Sequence, residues 1–136
     1  MTDQTIEQEI QAKGLTAPRI TPADIEANIA HCYYFTAFDG VDGADIGRLR
    51  AQDPNEPLTI DALSDDPVAA LMQSPLQLLT FCVLVLRNGF TVTGESACAS
   101  PTNFNAEVGR KIARQNAVAK VWPLMGYELR SKLAAV

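Results

Sequence analysis

The sequence predicts an α+β fold: an antiparallel β-hairpin-based sheet packed against a long helix, with a short C-terminal helix and an N-terminal helix-strand extension. Three observations point there. Leu78 to Arg87 is a dense apolar run, Asn88-Gly89 is a strong hairpin signal, and Phe90 to Glu95 reads as the return strand. Phe104, Val108, Ile112 and Ala119 then recur at helical spacing. Thr21-Pro22 opens an earlier helix with an N-cap residue followed by a proline suited to the first turn.

Residues 1–18 read as loosely ordered or weakly helical, interrupted by Gly14 and Pro18. Asp24 adds a carboxylate to the first turn of the helix that Thr21 opens. Ile25 and Ile29 mark its buried side, and it is expected to end near Ala30. His31 to Phe38 is aromatic and β-branched, hence a strand. Asp39-Gly40 and Asp42-Gly43 read as turn punctuation. Asp39, Asp42 and Asp45 do not make an EF-hand loop, because the twelfth position from Asp39 is Arg50 rather than a bidentate acid. Residues 51–67 read as a loop or linker with Pro54 and Pro57, followed by a short helix over Pro67 to Gln73.

A two-residue hairpin loop of type I′ sets Arg87 opposite Phe90, Val85 opposite Val92 and Val83 opposite Gly94. One face then carries Phe81, Val83, Val85, Phe90 and Val92 and is expected to bury against a helix. The other carries Cys82, Leu84 and Leu86 with Thr91 and Thr93. That face is too apolar for free solvent and implies cover by another element or subunit. Gly94 to Thr102 is a loop of small residues, open to two readings: a flexible connection, or a cradle for an anion or sugar. Asn103 or Asn105 caps the long helix, Pro123 stops it near Trp122, and Leu124 to Leu133 forms the final short helix.

The chain of 136 residues is the size of one domain, with two differently charged parts. Residues 1–74, the acidic N-terminal extension, hold 13 Asp and Glu against 4 Lys and Arg; residues 75–136, the hairpin-and-helix core, hold 3 against 7. The net charge of −5 speaks against nonspecific DNA binding. The basic half can face the acidic half, a second subunit or an anionic ligand. No apolar run is long enough to span a bilayer, and the N-terminus lacks the basic and apolar segments of a secretory signal, so a cytoplasmic protein is expected. Cys32, Cys82 and Cys98 form no CxxC pair, which indicates neither a zinc site nor a disulfide framework. Cys82 reads as a small core residue. Cys98, in a loop, reads as either inert or a reactive thiol. No P-loop, GxSxG or dinucleotide fingerprint occurs, and the single histidine, His31, reads as structural. Binding without catalysis is the expected class, with no cofactor and no metal.

Arg110 and Arg114 are four apart and share a helix face, roughly opposite Val108 and Ile112, with Lys111 beside them. Neither has a glutamate four residues before it. The pair is either a solvated helix face or a site for bidentate recognition of phosphate or carboxylate.

Residues 79–98, Leu-Thr-Phe-Cys-Val-Leu-Val-Leu-Arg-Asn-Gly-Phe-Thr-Val-Thr-Gly-Glu-Ser-Ala-Cys, resemble small tailed-phage accessory proteins grouped under gene products forty-nine and sixty-six of two enterobacterial phages. The resemblance continues through Asn103-Phe104, through Val108-Gly109-Arg110-Lys111-Ile112-Ala113-Arg114, and through Trp122-Pro123-Leu124-Met125-Gly126-Tyr127-Glu128-Leu129. It covers residues 78–133, and less specifically Ile20 to Gly40. The architecture is also similar to the first Thoeris anti-defence proteins, phage sponges for host immune nucleotides. That similarity implies a homo-oligomer in the host cytoplasm that sequesters cyclic ADP-ribose isomers between subunits. It also implies that Arg110 and Arg114, at the matching spacing, would hold cyclic oligonucleotides. Phe81, Phe90 and Asn103 are added as candidates on chemistry: an aromatic ring to stack on adenine and an amide to read its edge. The acidic N-terminal half has no counterpart in the compact sponges. Its charge motivates a rival reading, a protein-binding inhibitor of a host defence enzyme of anti-restriction or anti-CRISPR type. A structural oligomeric accessory protein is the third.

Overall fold

Leu79 to Leu86 is apolar at all but one position, the pattern of a strand covered on at least one face. The computed structural model, which describes residues 2–52 and 75–135, makes it the middle strand of a three-stranded antiparallel sheet. The elements in chain order are α1 (Asp3–Ala12), α2 (Pro22–Asn28), β1 (Ile29–Thr36), α3 (Ala37–Gln52), β2 (Leu79–Leu86), β3 (Thr91–Ala97) and α4 (Ala106–Ala134). Single 3-10 turns, Pro75–Leu78 and Pro101–Asn103, precede β2 and follow β3. The sheet order is β1-β2-β3, and α4 lies across one face. The expected α+β class is what the structure has. The expected linker beyond Gln52 and the short helix over Pro67 to Gln73 lie outside the described residues.

Local signals explain most helix starts. Thr21 caps α2 as its sequence suggests: its hydroxyl accepts from the Asp24 N–H (3.1 Å) and the Asp24 carboxylate accepts from the Thr21 N–H (2.9 Å). The helix ends at Asn28, and β1 begins at once, two residues before His31. Thr36 and Asp39 form a second reciprocal cap (2.9 and 3.1 Å), which starts α3 where turn punctuation was expected. The cap outweighs the glycines that follow. The first segment is a full helix, capped by Thr2 and Thr5 and ending before Gly14.

The hairpin differs from expectation by one residue, and the difference inverts its faces. Gly89 has φ +88°, but Asn88 does not take the positive φ that a type I′ turn requires. The loop is instead three residues, Arg87-Asn88-Gly89, closed by hydrogen bonds from Leu86 N–H to Phe90 O (2.8 Å) and from Gly89 N–H to Leu86 O (2.9 Å). Val85 therefore pairs with Thr91, Leu84 with Val92 and Cys82 with Gly94. The cause is Arg87. Its N–H donates to the Asn28 carbonyl (2.9 Å) and its Nε to the Ala27 carbonyl (2.6 Å), so it caps the C-terminus of α2 and cannot pair with Phe90. The face toward α4 carries Thr80, Cys82, Leu84, Leu86, Val92 and Gly94, all buried. Phe81, Val83 and Val85 are on the other face, half-buried, and Phe90 is exposed at the hairpin end.

The buried stripe of α4 is Gly109, Ala113, Ala117 and Val121, not the expected Val108, Ile112 and Ala119. Val108 and Ile112 are exposed. Gly94 dictates this choice: a Cβ there would lie 2.2 Å from the Ala113 carbonyl oxygen and 2.3 Å from the Ala117 nitrogen. Helix and strand backbones touch, so only small residues fit the seam. Asn105, not Asn103, caps α4, its Oδ1 accepting from the Val108 N–H (3.1 Å). The helix continues through Pro123 in one 29-residue piece, and the expected separate C-terminal helix is its last part. Proline removes one donor and opposes the carbonyl four residues earlier, a penalty of about 3 kcal/mol. Val121 in the core, with Trp122 and Met125 packed against it, holds the helix on both sides of that defect.

Two glycines give opposite expected outcomes. Gly94→Ala drives a methyl group into the α4 backbone and should destabilise the protein by about 3 kcal/mol. Gly126→Ala, in α4 with nothing within 4 Å of the added carbon, should stabilise it by about 0.5–1 kcal/mol. Urea unfolding of both variants checks the pair; a tolerated Gly94→Ala would contradict the close helix–strand contact.

Candidate functional site

The seam runs along Gly109, Ala113 and Ala117, so Arg110 and Arg114 sit at its border rather than on a far solvated face. The two have different surroundings. Arg114 is a third exposed and paired: its Nη1 and Nη2 donate to Glu26 Oε1 and Oε2 at 3.0 and 2.8 Å. Glu26 comes from α2, 88 positions away, which is why no local spacing revealed it. The bidentate bond to Glu26 raises the Arg114 pKa further above its ordinary value, and Arg114 in turn holds the Glu26 carboxyl below its usual 4.5. The expectation of two unpaired guanidiniums is corrected for Arg114. Lys111 pairs with Glu107 one turn earlier at 3.2 Å.

Arg110 is exposed and makes no ion pair or side-chain hydrogen bond among the described residues. It borders a cavity of about 100 Å³ at the junction of β1, α3 and α4. Tyr34, Phe35 and Phe104 supply aromatic surface there, Thr36 and Thr80 supply hydroxyls, and Asp39 supplies a carboxylate. One Asp39 oxygen already accepts from the Thr36 N–H in the α3 cap. Burial, with hydrogen bonding to Cys32, pushes the Tyr34 phenol up to about 12, so it is a neutral donor at neutral pH. The cavity thus offers one cation, one carboxylate, three hydroxyls and aromatic edges. That mix can hold an oxyanion at Arg110 and a sugar hydroxyl or exocyclic amine at Asp39.

The other candidates are not gathered here. Phe81 shares with Phe35 the sheet face away from α4, the two rings stacked at 5.5 Å between centroids, and does not itself line the cavity. Phe90 is at the hairpin end, about 17 Å along the strand from Phe81 at the ordinary rise per residue. Asn103 is exposed in the 3-10 turn before α4. His31 is exposed on the sheet face away from α4, stacked on Tyr33 at 6.1 Å. Thr36 and Asp39 were within reach of sequence reasoning as a capping pair; Tyr34, Thr80 and Phe104 become neighbours only through the tertiary fold. A second depression, of about 470 Å³, lies between α1, α2 and α4 with the Arg114–Glu26 pair and Trp122 in its wall. Among the described residues no group of three or more His, Cys, Asp or Glu is placed to hold a metal ion, and no helix is long and apolar enough to cross a membrane.

A family model described as Phage protein (N4 Gp49/phage Sf6 gene 66) family matches residues 20–133. The match takes in every element from α2 to nearly the end of α4 and leaves out α1. No curated protein and no solved structure matches the chain.

Glu26→Gln removes the carboxylate from Arg114. The expected loss is about 0.5–1 kcal/mol at pH 7, since the Glu26 side chain is 56% exposed and solvent screens the pair. Glu26 titrates below its ordinary value in the folded state. The contribution is therefore full above pH 4.5 and is lost as the pH falls through the lowered value. Urea unfolding of the two proteins should differ at pH 7 and converge as the pH falls through the lowered folded-state value of Glu26; a gap unchanged at low pH would remove the ion pair as its cause.

Proposed function

The chain belongs to that phage family, and on this premise we propose that it is a non-enzymatic anti-defence protein that binds a cyclic nucleotide immune signal and sequesters it intact. Arg110 is the observation that carries the reading. It is a guanidinium free of any partner among the described residues, beside aromatic rings, hydroxyls and a carboxylate. Phosphate on Arg110, a ribose hydroxyl or base amine on Asp39 and a base against Phe104 or Tyr34 use both charged groups and the aromatic surface of the cavity. A cavity of about 100 Å³ holds a phosphate or a sugar, well short of the roughly 300 Å³ of a small-molecule pocket. The reading therefore includes a second copy of the chain that covers the rest of the ligand, in a homo-oligomer within the host cytoplasm.

A rival reading is a protein-binding inhibitor of a host defence enzyme. It is favoured by the aromatic surface on the sheet face away from α4, where Tyr33 is 55% and Phe35 38% exposed beside His31. The two differ in what binds: a nucleotide at Arg110, or a protein across β1.

The deciding measurement is thermal unfolding against a panel of cyclic ADP-ribose isomers and cyclic trinucleotides. Tight binding should raise Tm with the logarithm of the ligand excess, and Arg110→Glu should weaken binding about 100-fold or more. Ligand recovered after heat denaturation should be chemically unchanged. No shift with any member of the panel, or cleaved ligand, would overturn the reading.

A further inference from the structure

Cys32 on β1 and Cys82 on β2 stand side by side on the face of the sheet that α4 covers. Their sulfurs are 3.6 Å apart, in contact and unbonded. The register holds them there: Cys32 is opposite Leu84 and Cys82 opposite Tyr34, so the two are diagonal neighbours on one face of adjacent strands. They differ in access. Cys82 is completely buried among Leu84, Ala113 and Ala117, and burial pushes its thiol up to about 12. Cys32, on the edge strand β1, is half-buried and so within reach of a small solute. The reachable sulfur is the one a small oxidant meets first, and it attacks as the thiolate.

We propose that Cys32 and Cys82 are a peroxide-oxidisable thiol pair whose disulfide staples β1 to β2. In the first step the Cys32 thiolate attacks one oxygen of a peroxide. The O–O bond breaks, the second oxygen leaves as an alcohol or water after taking a proton, and Cys32 becomes a sulfenic acid. In the second step the Cys82 sulfur attacks the Cys32 sulfur, the S–O bond breaks and water leaves with the Cys82 proton. Two thiols and one hydrogen peroxide give one disulfide and two waters. Each sulfur loses one electron and the peroxide gains two. The bond closes across 50 positions of chain and ties α2, through β1, to the middle strand of the sheet. This inference stands apart from nucleotide binding, because neither sulfur lines the Arg110 cavity.

The test uses the full chain, reduced and then treated with equimolar hydrogen peroxide. The mass should fall by about 2 Da, the two hydrogens of disulfide formation. Of the three thiols two should stop reacting with an alkylating agent, and a protease digest should contain a peptide linking Cys32 to Cys82. Cys98, whose sulfur is engaged with the Ser100 carbonyl at 3.1 Å, should remain alkylatable. Cys82→Ala should stop at a Cys32 sulfenic acid that dimedone traps, and Cys32→Ser should leave Cys82 reduced. The stapled protein should melt about 10 °C above the reduced form and return on treatment with a thiol reductant. Three alkylatable thiols after peroxide, a disulfide to Cys98 or between chains, or first attack at Cys82 would each overturn the proposal. So would an unchanged or lowered Tm.

Discussion

The contact between the backbone of Gly94 and the backbone of α4 is the constraint on which the remaining packing depends. A carbon added at Gly94 would be 2.2 Å from one α4 atom and 2.3 Å from another, so strand and helix meet with no side chain between them. Close approach brings many atoms into van der Waals range and restricts the seam of α4 to Gly109, Ala113 and Ala117. The bulk of the core must then come from elsewhere. Leu84, Leu86 and Cys82 on the middle strand supply it, with Ile25 from α2 and Val121 from the next turns of α4. Large residues such as Val108 and Ile112 have no room at the seam and turn to solvent.

A second link decides which face of the sheet meets that seam. Arg87 holds the last carbonyls of α2, so the hairpin turns after Leu86. Because side chains alternate along a strand, that single residue of register puts Leu84 with Val92 and Cys82 with Gly94 on the helix side. The same bond fixes α2 against the hairpin, Ile25 anchors it in the core, and Glu26 one position further reaches Arg114. Register, core and ion pair are therefore one connected arrangement.

Element types were largely legible because their signals are local. Thr21-Pro22-Ala23-Asp24 specifies a helix start within four residues, and the apolar run of β2 specifies a strand. The hairpin register was not legible, because Asn88-Gly89 suits two loop lengths. A helix end 60 positions away selects between them. The face of α4 was misread for a related reason. Apolar periodicity favours the stripe with the largest side chains, whereas a glycine in the opposing strand selects the smallest. Pro123 terminates helices as a rule, and here tertiary packing on either side of it prevails over that rule. Of the candidate site, Arg110 was legible from its helix position. Its neighbours Tyr34, Thr36 and Thr80 come together through strand pairing between β1 and β2, which no local pattern encodes.

The two arginines show why spacing alone does not define an anion site. Both sit four apart on one helix, yet an anion arriving at Arg114 must displace a carboxylate already bound through two hydrogen bonds. Breaking such a pair leaves Glu26 without its partner, so the exchange returns little of the energy that the new contact provides. An anion arriving at Arg110 displaces only water. The capacity to hold an anion is thus concentrated on one guanidinium, and the rest of any ligand must be recognised by neutral groups and by Asp39. One cation with hydroxyls, aromatic edges and a carboxylate suits a ligand with spaced phosphates joined by sugars and bases better than a compact polyanion, which would meet repulsion from Asp39. The modest size of the cavity points the same way, because a phosphate held at Arg110 leaves no room in it for a sugar and base as well.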